Sequence, residues 1–347
     1  MIPSLFVTHT RFVGTRLCAT VVALATILFA GASRIDAQQP DEVITTNTSL
    51  VQLNVGVVDR QGHAVTTLSP GDFAVYEDGV RRPIMHFEPT DTPFSLVLLL
   101  DMSGSTVNFR QQIQQSALRF LDALGPDDRV AVTSFNGKGV HSLVGFGTDR
   151  KRIAYAISIA SGAGETFLYD ALKSALKELS HEGKRRKAIV VLTDGLDTEV
   201  RKGDRVAISK AADAEISTAI KPEASSQLNS VLNDADRQGV TIFPLALPSG
   251  DPKRLPLPDP SITAMYTAAR TRLQLLADRT GGQLNEVHRL DELARLYPQI
   301  AAELRTLYSI AYQPPNQGVR DGKWRIIRIE VARADLVART KPGYYAR

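Results

Sequence analysis

The sequence predicts an α/β protein: a doubly wound, mainly parallel sheet inserted in, or flanked by, a small β-sandwich-like domain made from both chain ends. Three observations lead there. From Phe94 onward, apolar runs such as FSLVLLL and KAIVVLTD alternate with helical patterns, as expected of parallel strands covered on both faces. Residues 41–92 contain only strand and turn patterns. Residues 304–347 return to strand character, with Trp324, Ile326, Ile329 and Val331 set against Lys323, Arg325, Arg328 and Glu330. Each β end is too small to close a core alone, so the two are expected to pack together. The expected boundaries are 1–37 for a leader, 38–92 for the first β segment, 93–302 for the α/β domain and 303–347 for the closing β segment.

The leader is read from Arg11 and Arg16 ahead of the apolar run LCATVVALATILFAGA, with small residues after it. That is the layout of a secretory signal peptide. Cleavage fits after Ala32 and better after Ala37, where polar QQPDEV begins. The alternative is an uncleaved anchor, for which the run is slightly short. The expected location is therefore outside the cytoplasm, periplasmic or secreted, with no integral membrane segment once the leader is removed. Cys18, the single cysteine, lies within the leader, so the exported part has no disulfide to rely on. The formal net charge of +4 is thin for 347 residues, and the leader holds three arginines and one aspartate of it. A nearly neutral remainder argues against nucleic acid as partner.

In the first β segment, SLVQLNVGVVD reads as a half-buried strand, followed by turns at Arg60-Gln61-Gly62 and Ser69-Pro70-Gly71-Asp72. DFAVYEDGVRRPIMHF is a hairpin pattern with Glu77-Asp78-Gly79 at its tip. In the α/β segment, FRQQIQQSALRFLDAL has apolar residues at helical spacing and is stopped by Gly125-Pro126. RVAVTSFN and GVHSLVGF are close enough to pair antiparallel, and RKRIAYAISIA and ETFLYDALKSALKEL are helices. After the strand KAIVVLTD come the helix ASSQLNSVLNDADRQG, the strand VTIFPLAL and the helices TAARTRLQLLADRTGG and DELARLYPQIAAEL. Residues 196–222 and 248–262 are polar and weakly periodic, and are expected to be loop insertions. The run Lys184-Arg185-Arg186-Lys187 is expected to be a solvated connection.

Ligands of parallel α/β sheets bind at the carboxyl ends of the strands. One such end reads Asp101-Met102-Ser103-Gly104-Ser105, another Thr193-Asp194-Gly195, and Thr166 stands on a loop ahead of a helix. Each alone has a plain structural explanation: a serine or threonine after a strand caps a helix, and Thr-Asp-Gly is a common turn. Together they offer two carboxylates and three hydroxyls, an oxygen set suited to a hard divalent cation. Neutral hydroxyls leave such a cation short of negative charge, which a partner's Asp or Glu can supply.

These motifs resemble those of a von Willebrand factor A-type domain, a Rossmann-like fold, over roughly residues 94–302. The resemblance implies a metal-ion-dependent adhesion site at Asp101, Ser103, Ser105, Thr166 and Asp194. In that site the serines and threonine bind Mg²⁺ or Mn²⁺ directly, with Ca²⁺ a further candidate, and the aspartates often act through water. It also implies a protein partner presenting Asp or Glu, and binding rather than turnover. The hairpin from Asp72 to Gly79 and the terminal Gly343-Tyr344-Tyr345 are similar to flanking pieces of an acidobacterial subgroup. Gly-Glu-Thr at 164–166 departs from the usual Gly-Gly-Thr, which sets Glu165 beside the site.

The main rival is a metal-dependent, phosphatase-like hydrolase with Asp101 as nucleophile. Such enzymes usually carry a second Asp two residues on, where this chain has Ser103. A structural domain with a vestigial metal site is a third reading, which the filling of all five positions opposes. No G-x-S-x-G elbow is present, and His63, His86, His141, His181 and His288 lack metal-ligand spacing.

Overall fold

The computed structural model describes residues 50–346 apart from 62, 91, 184, 251–258, 290–291 and 316–320. The leader and Cys18 lie outside the described residues. The first β segment holds β1 (Val51–Val58), β2 (Phe73–Glu77), β3 (Val80–Arg82) and β4 (Ile84–Glu88). The α/β segment begins with β5 (Phe94–Asp101), α1 (Arg110–Asp122), β6 (Arg129–Asn136), β7 (Gly139–Gly147), α2 (Arg150–Ile159), α3 (Leu168–Leu179) and β8 (Arg186–Thr193). It continues with α4 (Thr198–Ser209), α5 (Ile216–Ala219), α6 (Ser226–Gln238), β9 (Val240–Ala246), α7 (Pro260–Thr280), β10 (Asn285–Glu286) and α8 (Leu293–Arg305). The chain closes with β11 (Leu307–Tyr312), β12 (Trp324–Val331), β13 (Val337–Arg339) and β14 (Gly343–Tyr345).

The central sheet has the order β10-β9-β8-β5-β6-β7, parallel except for β7 at its edge. Every residue of β5 is buried, and alternation sends successive side chains to opposite faces. Leu96, Leu98 and Leu100 join the layer containing Ile113, Phe120, Ile157 and Tyr297 of α1, α2 and α8. Val97 and Leu99 join Leu172, Leu176, Val231 and Leu273 of α3, α6 and α7. The doubly wound, mainly parallel fold expected from the apolar runs is the one observed.

The two β ends build two further sheets of mixed origin, β13-β1-β11-β4 and β14-β12-β2-β3. Their shared core holds Leu53, Val55, Phe73, Val75, Tyr308, Ile310 and Ile327. Asp78 and Gly79 both have positive φ, 51° and 80°, which makes the primed turn that matches strand twist in a tight hairpin. The pattern after Pro83 does not extend that hairpin: β4 crosses to the other sheet and pairs with β11. Inside the sandwich, the Glu77 carboxylate accepts from Tyr312 at 2.6 Å and from Tyr344 at 3.1 Å. The hairpin motif and the terminal Gly-Tyr-Tyr thus meet in one hydrogen-bonded cluster.

Three expectations need correction. Residues 196–222 are not a loop insertion, since they contain α4 and α5. The inward stripe of α4 includes the buried Asp204, whose carboxylate takes both ends of the Arg272 guanidinium at 2.8 and 2.6 Å. Of its buried residues Thr198, Val200 and Asp204, only one is apolar, so the helix shows little of a core-facing stripe in sequence. Likewise α7 begins at Pro260 rather than near Thr267, because Asp259 caps it by accepting from Ser261 and Ile262 N–H. The basic run at 184–187 is not wholly solvated either. Arg186 is buried, donating to Leu304 O at 3.0 Å, Leu307 O at 2.6 Å and Thr90 O at 2.9 Å. One side chain therefore pins both chain crossings between the sandwich and the α/β segment.

Candidate metal site at the carboxyl edge of the sheet

Three loops meet above β5 and β8. The first leaves β5 at Asp101 and is folded tightly by Thr106, whose hydroxyl donates back to Asp101 O at 2.8 Å and Ser103 O at 3.1 Å. Gly104 N–H then donates to Gly164 O at 2.9 Å, joining the first loop to the second. That approach is close: Gly164 has φ of 85°, and a Cβ on Gly137 beneath it would lie 2.8 Å from Ala163 O and Glu165 N. Glycine is required there because the backbones touch. Thr166 and Thr198 tie the second loop to the start of α4, Thr166 N–H donating to Thr198 Oγ1 at 3.1 Å and Thr198 N–H to Thr166 O at 3.0 Å. The third loop follows β8, where Asp194 Oδ1 accepts from Leu196 N–H at 3.1 Å.

Asp101, Ser103 and Asp194 are fully buried, Thr166 nearly so, and Ser105 is exposed. Asp101 Oδ1 accepts from Ser103 N–H at 3.0 Å and Oδ2 from the Thr193 hydroxyl at 2.7 Å. The hydroxyls of Ser103 and Ser105 are 3.2 Å apart. Ser105 and Thr166 line a cleft of about 320 Å³, with Glu165, Leu196, Asp197 and Arg201. Glu165 is exposed on that cleft. Asp194 Oδ2 is buried and has no hydrogen-bond partner among the described residues.

Burial, and then the charge of Asp194, push the Asp101 carboxyl up to about 7. Burial likewise raises Asp194, offset in part by the Ser105 hydroxyl, the Leu196 N–H and the more distant charges of Arg270 and Arg201. Other buried aspartates have their charge answered within the chain. Asp204 pairs with Arg272, Asp128 with Arg305, and Asp236 with Arg279 and Lys341. Asp197 caps α4 by accepting from Glu199 and Val200 N–H. Asp101 and Asp194 have no lysine or arginine within ion-pair distance among the described residues, and each raises the cost of ionising the other.

The donor set fits a hard cation. It offers two carboxylates, one with a bare buried oxygen, and three hydroxyls, of which those of Ser105 and Thr166 face the cleft while Ser103 is buried. No group of three or more His, Cys, Asp or Glu converges anywhere among the described residues, so a zinc-type site is not formed there. Sequence reasoning missed Thr193, which braces Asp101 from β8, and Arg201, which reaches the cleft from α4. Thr193 was legible only as the last residue of a strand. Arg201 lay in a tract without helical period.

Residues 96–196 match the family model of the von Willebrand factor type A domain. With the sheet order and the loops described above, the chain carries a domain of that family. Similar solved structures include the vWF domain of the type V pili tip protein Mfa5 from Porphyromonas gingivalis, at 16% identity and a TM-score of 0.46, covering 61% of this chain and 95% of that one. The pilus adhesin SpaC from Lactobacillus rhamnosus GG, in its open conformation, is similar at 13% identity and TM-score 0.45, covering 81% of this chain and 48% of that one. A von Willebrand factor type A protein from Catenulispora acidiphila is similar at 13% identity and TM-score 0.45, covering 86% and 74%. No curated protein matches the chain.

Proposed function

We propose that this edge holds one divalent cation, Mg²⁺ or Mn²⁺ with Ca²⁺ as the further candidate, and that the chain is a metal-dependent protein-binding module of adhesion type. Ser103, Ser105 and Thr166 would be its hydroxyl ligands, with Asp101 and Asp194 supplying the negative charge. The observation that carries this is the buried Asp101–Asp194 pair, which lacks a basic partner and keeps one oxygen unsatisfied. When bound, the cation supplies an electropositive, Lewis-acidic position at the mouth of the cleft. The chain's own groups do the rest. Thr193 and Ser103 N–H orient Asp101, the Gly104–Gly164 contact holds the hydroxyl loops in register, and the cleft admits an acidic side chain of a partner. The leader pattern supports a location outside the cytoplasm, in the periplasm or beyond it.

The geometry disfavours the hydrolase reading. Asp101 is fully buried, and both its oxygens accept hydrogen bonds from the protein, which leaves a poor nucleophile. Added Mg²⁺ or Mn²⁺ is expected to raise the melting temperature by several degrees, as ligand linkage requires. Asp101→Ala is expected to abolish that rise, and EDTA to release a captured partner from the wild-type chain. Absence of any metal effect on the wild type would sink the proposal, and steady turnover of a generic phosphate ester would favour the hydrolase.

A further inference from the structure

Arg201 is a half-buried arginine on the wall of the same cleft. Its guanidinium makes no hydrogen bond or ion pair with any described residue. Several other arginines that are at least partly buried are engaged, Arg272 with Asp204, Arg279 with Asp236, Arg129 with Glu182 and Arg325 with Asp321. Arg82 on β3 is unpaired among the described residues as Arg201 is, but only Arg201 lines the cleft. Holding a charged fork partly out of water without a partner is unfavourable unless a ligand completes it.

The position of Arg201 is also fixed rather than incidental. Its N–H donates to Asp197 O at 2.9 Å. Asp197 in turn caps α4 and accepts from Tyr169 N–H at 3.3 Å, which locks the first turn of α4 to α3. Thr198, in that turn, is paired with Thr166 through two hydrogen bonds. The arginine is thus carried on the helix that is tied to a candidate metal ligand. Its positive charge slightly lowers the pKa values of Asp194 and Tyr266 against the rise that burial causes.

We propose that Arg201 is a ligand-binding residue that clamps the partner's carboxylate, so that the cleft selects an aspartate or glutamate side chain over neutral oxygen ligands. This rests on the cation-binding reading above. A bound cation would supply the charge that draws the partner's carboxylate, and the Arg201 guanidinium would donate to it from the cleft wall. A planar fork of parallel N–H donors matches a carboxylate in a way that a lysine ammonium does not. Glu165, exposed on the same cleft, repels a partner carboxylate that approaches from its side and leaves the Arg201 side as the favoured approach.

The test uses the full chain, Mn²⁺ or Mg²⁺, and a doubly capped pentapeptide with one central glutamate, titrated calorimetrically alongside its glutamine counterpart. The wild type should bind the glutamate peptide and not the glutamine one. Arg201→Gln should bind it roughly tenfold more weakly or worse, the usual effect of losing a charge-assisted hydrogen bond, while keeping the wild-type metal-induced thermal shift. Arg201→Lys should fall between them. Arg205→Gln, an exposed α4 position outside the cleft-lining set, should behave as wild type. Two results would overturn the Arg201 assignment alone: peptide affinity unchanged in Arg201→Gln, or a wild type that binds the metal and not the peptide. A wild type that shows no metal shift defeats the cation-binding reading itself, and with it the clamp.

Discussion

The Asp204–Arg272 and Asp101–Asp194 pairs are both buried in the α/β segment, and the chain treats them in opposite ways. Asp204 has a bidentate arginine at 2.6 and 2.8 Å, supplied from α7. Asp101 feels the charge of a second carboxylate, and Asp194 keeps an oxygen with no hydrogen-bond partner among the described residues. Where charge serves only to join helices, the chain provides both signs. Where it buries two carboxylates without a basic partner among the described residues, the charge is relieved by a proton on Asp101 or, in the proposed reading, by a cation from solution. The contrast separates a structural ion pair from the site proposed here to take an added cation, using the same residue type within one fold.

Breaking the first pair should have the largest effect. Arg272→Met strands a buried carboxylate and is expected to cost about 3–5 kcal/mol in urea denaturation, with any Mg²⁺-induced shift retained by the folded fraction. A loss below about 1 kcal/mol would mean that Asp204 is better solvated than its burial indicates.

Asp101→Asn should move the other way. It removes a repelled, desolvated charge, so metal-free stability should rise by about 1–2 kcal/mol while the Mg²⁺ response disappears. Destabilisation on the scale of Arg272→Met would erase the distinction between the two pairs.

The pH dependence sharpens the same point. The folded-state pKa of Asp101 is raised from 3.8 to about 7, so between those values the folded chain holds this proton more tightly than the unfolded one. Stability from this group is therefore present below about pH 4 and is lost as pH rises toward 7. Subtracting the Asp101→Asn curve from the wild-type curve should isolate that fall. Because the cation competes with the proton, the Mg²⁺ shift should be larger at pH 8 than at pH 5; a pH-independent shift would place the cation elsewhere.

The smallest effect belongs to the sandwich. Tyr344→Phe removes the 3.1 Å bond to Glu77 and should cost about 1 kcal/mol without altering the metal response. A changed metal response would reveal coupling between the sandwich and the sheet edge.

Much of this was legible in the sequence because apolar runs and hydroxyl-rich strand ends are local signals. FSLVLLLD could only be a strand buried on both faces, and Asp101, Ser103, Ser105, Thr166 and Asp194 each follow a readable element. What was hidden depends on partners distant in the chain. Helix α4 is held by the Asp197 cap and by Arg272, so its sequence resembles a polar loop. Arg186 looked like part of a solvated basic run, since its carbonyl acceptors are on residues 90, 304 and 307. The Glu77–Tyr344 contact spans the two ends of the described chain and leaves no local trace.

The central claim is most directly tested by counting bound cations. Titration of the full wild-type chain with Mn²⁺, followed by electron paramagnetic resonance, should show one tightly bound ion per chain that excess Mg²⁺ displaces. Asp194→Asn should lose it, and Arg205→Gln should keep it. An unchanged Mn²⁺ stoichiometry in Asp194→Asn would contradict the account.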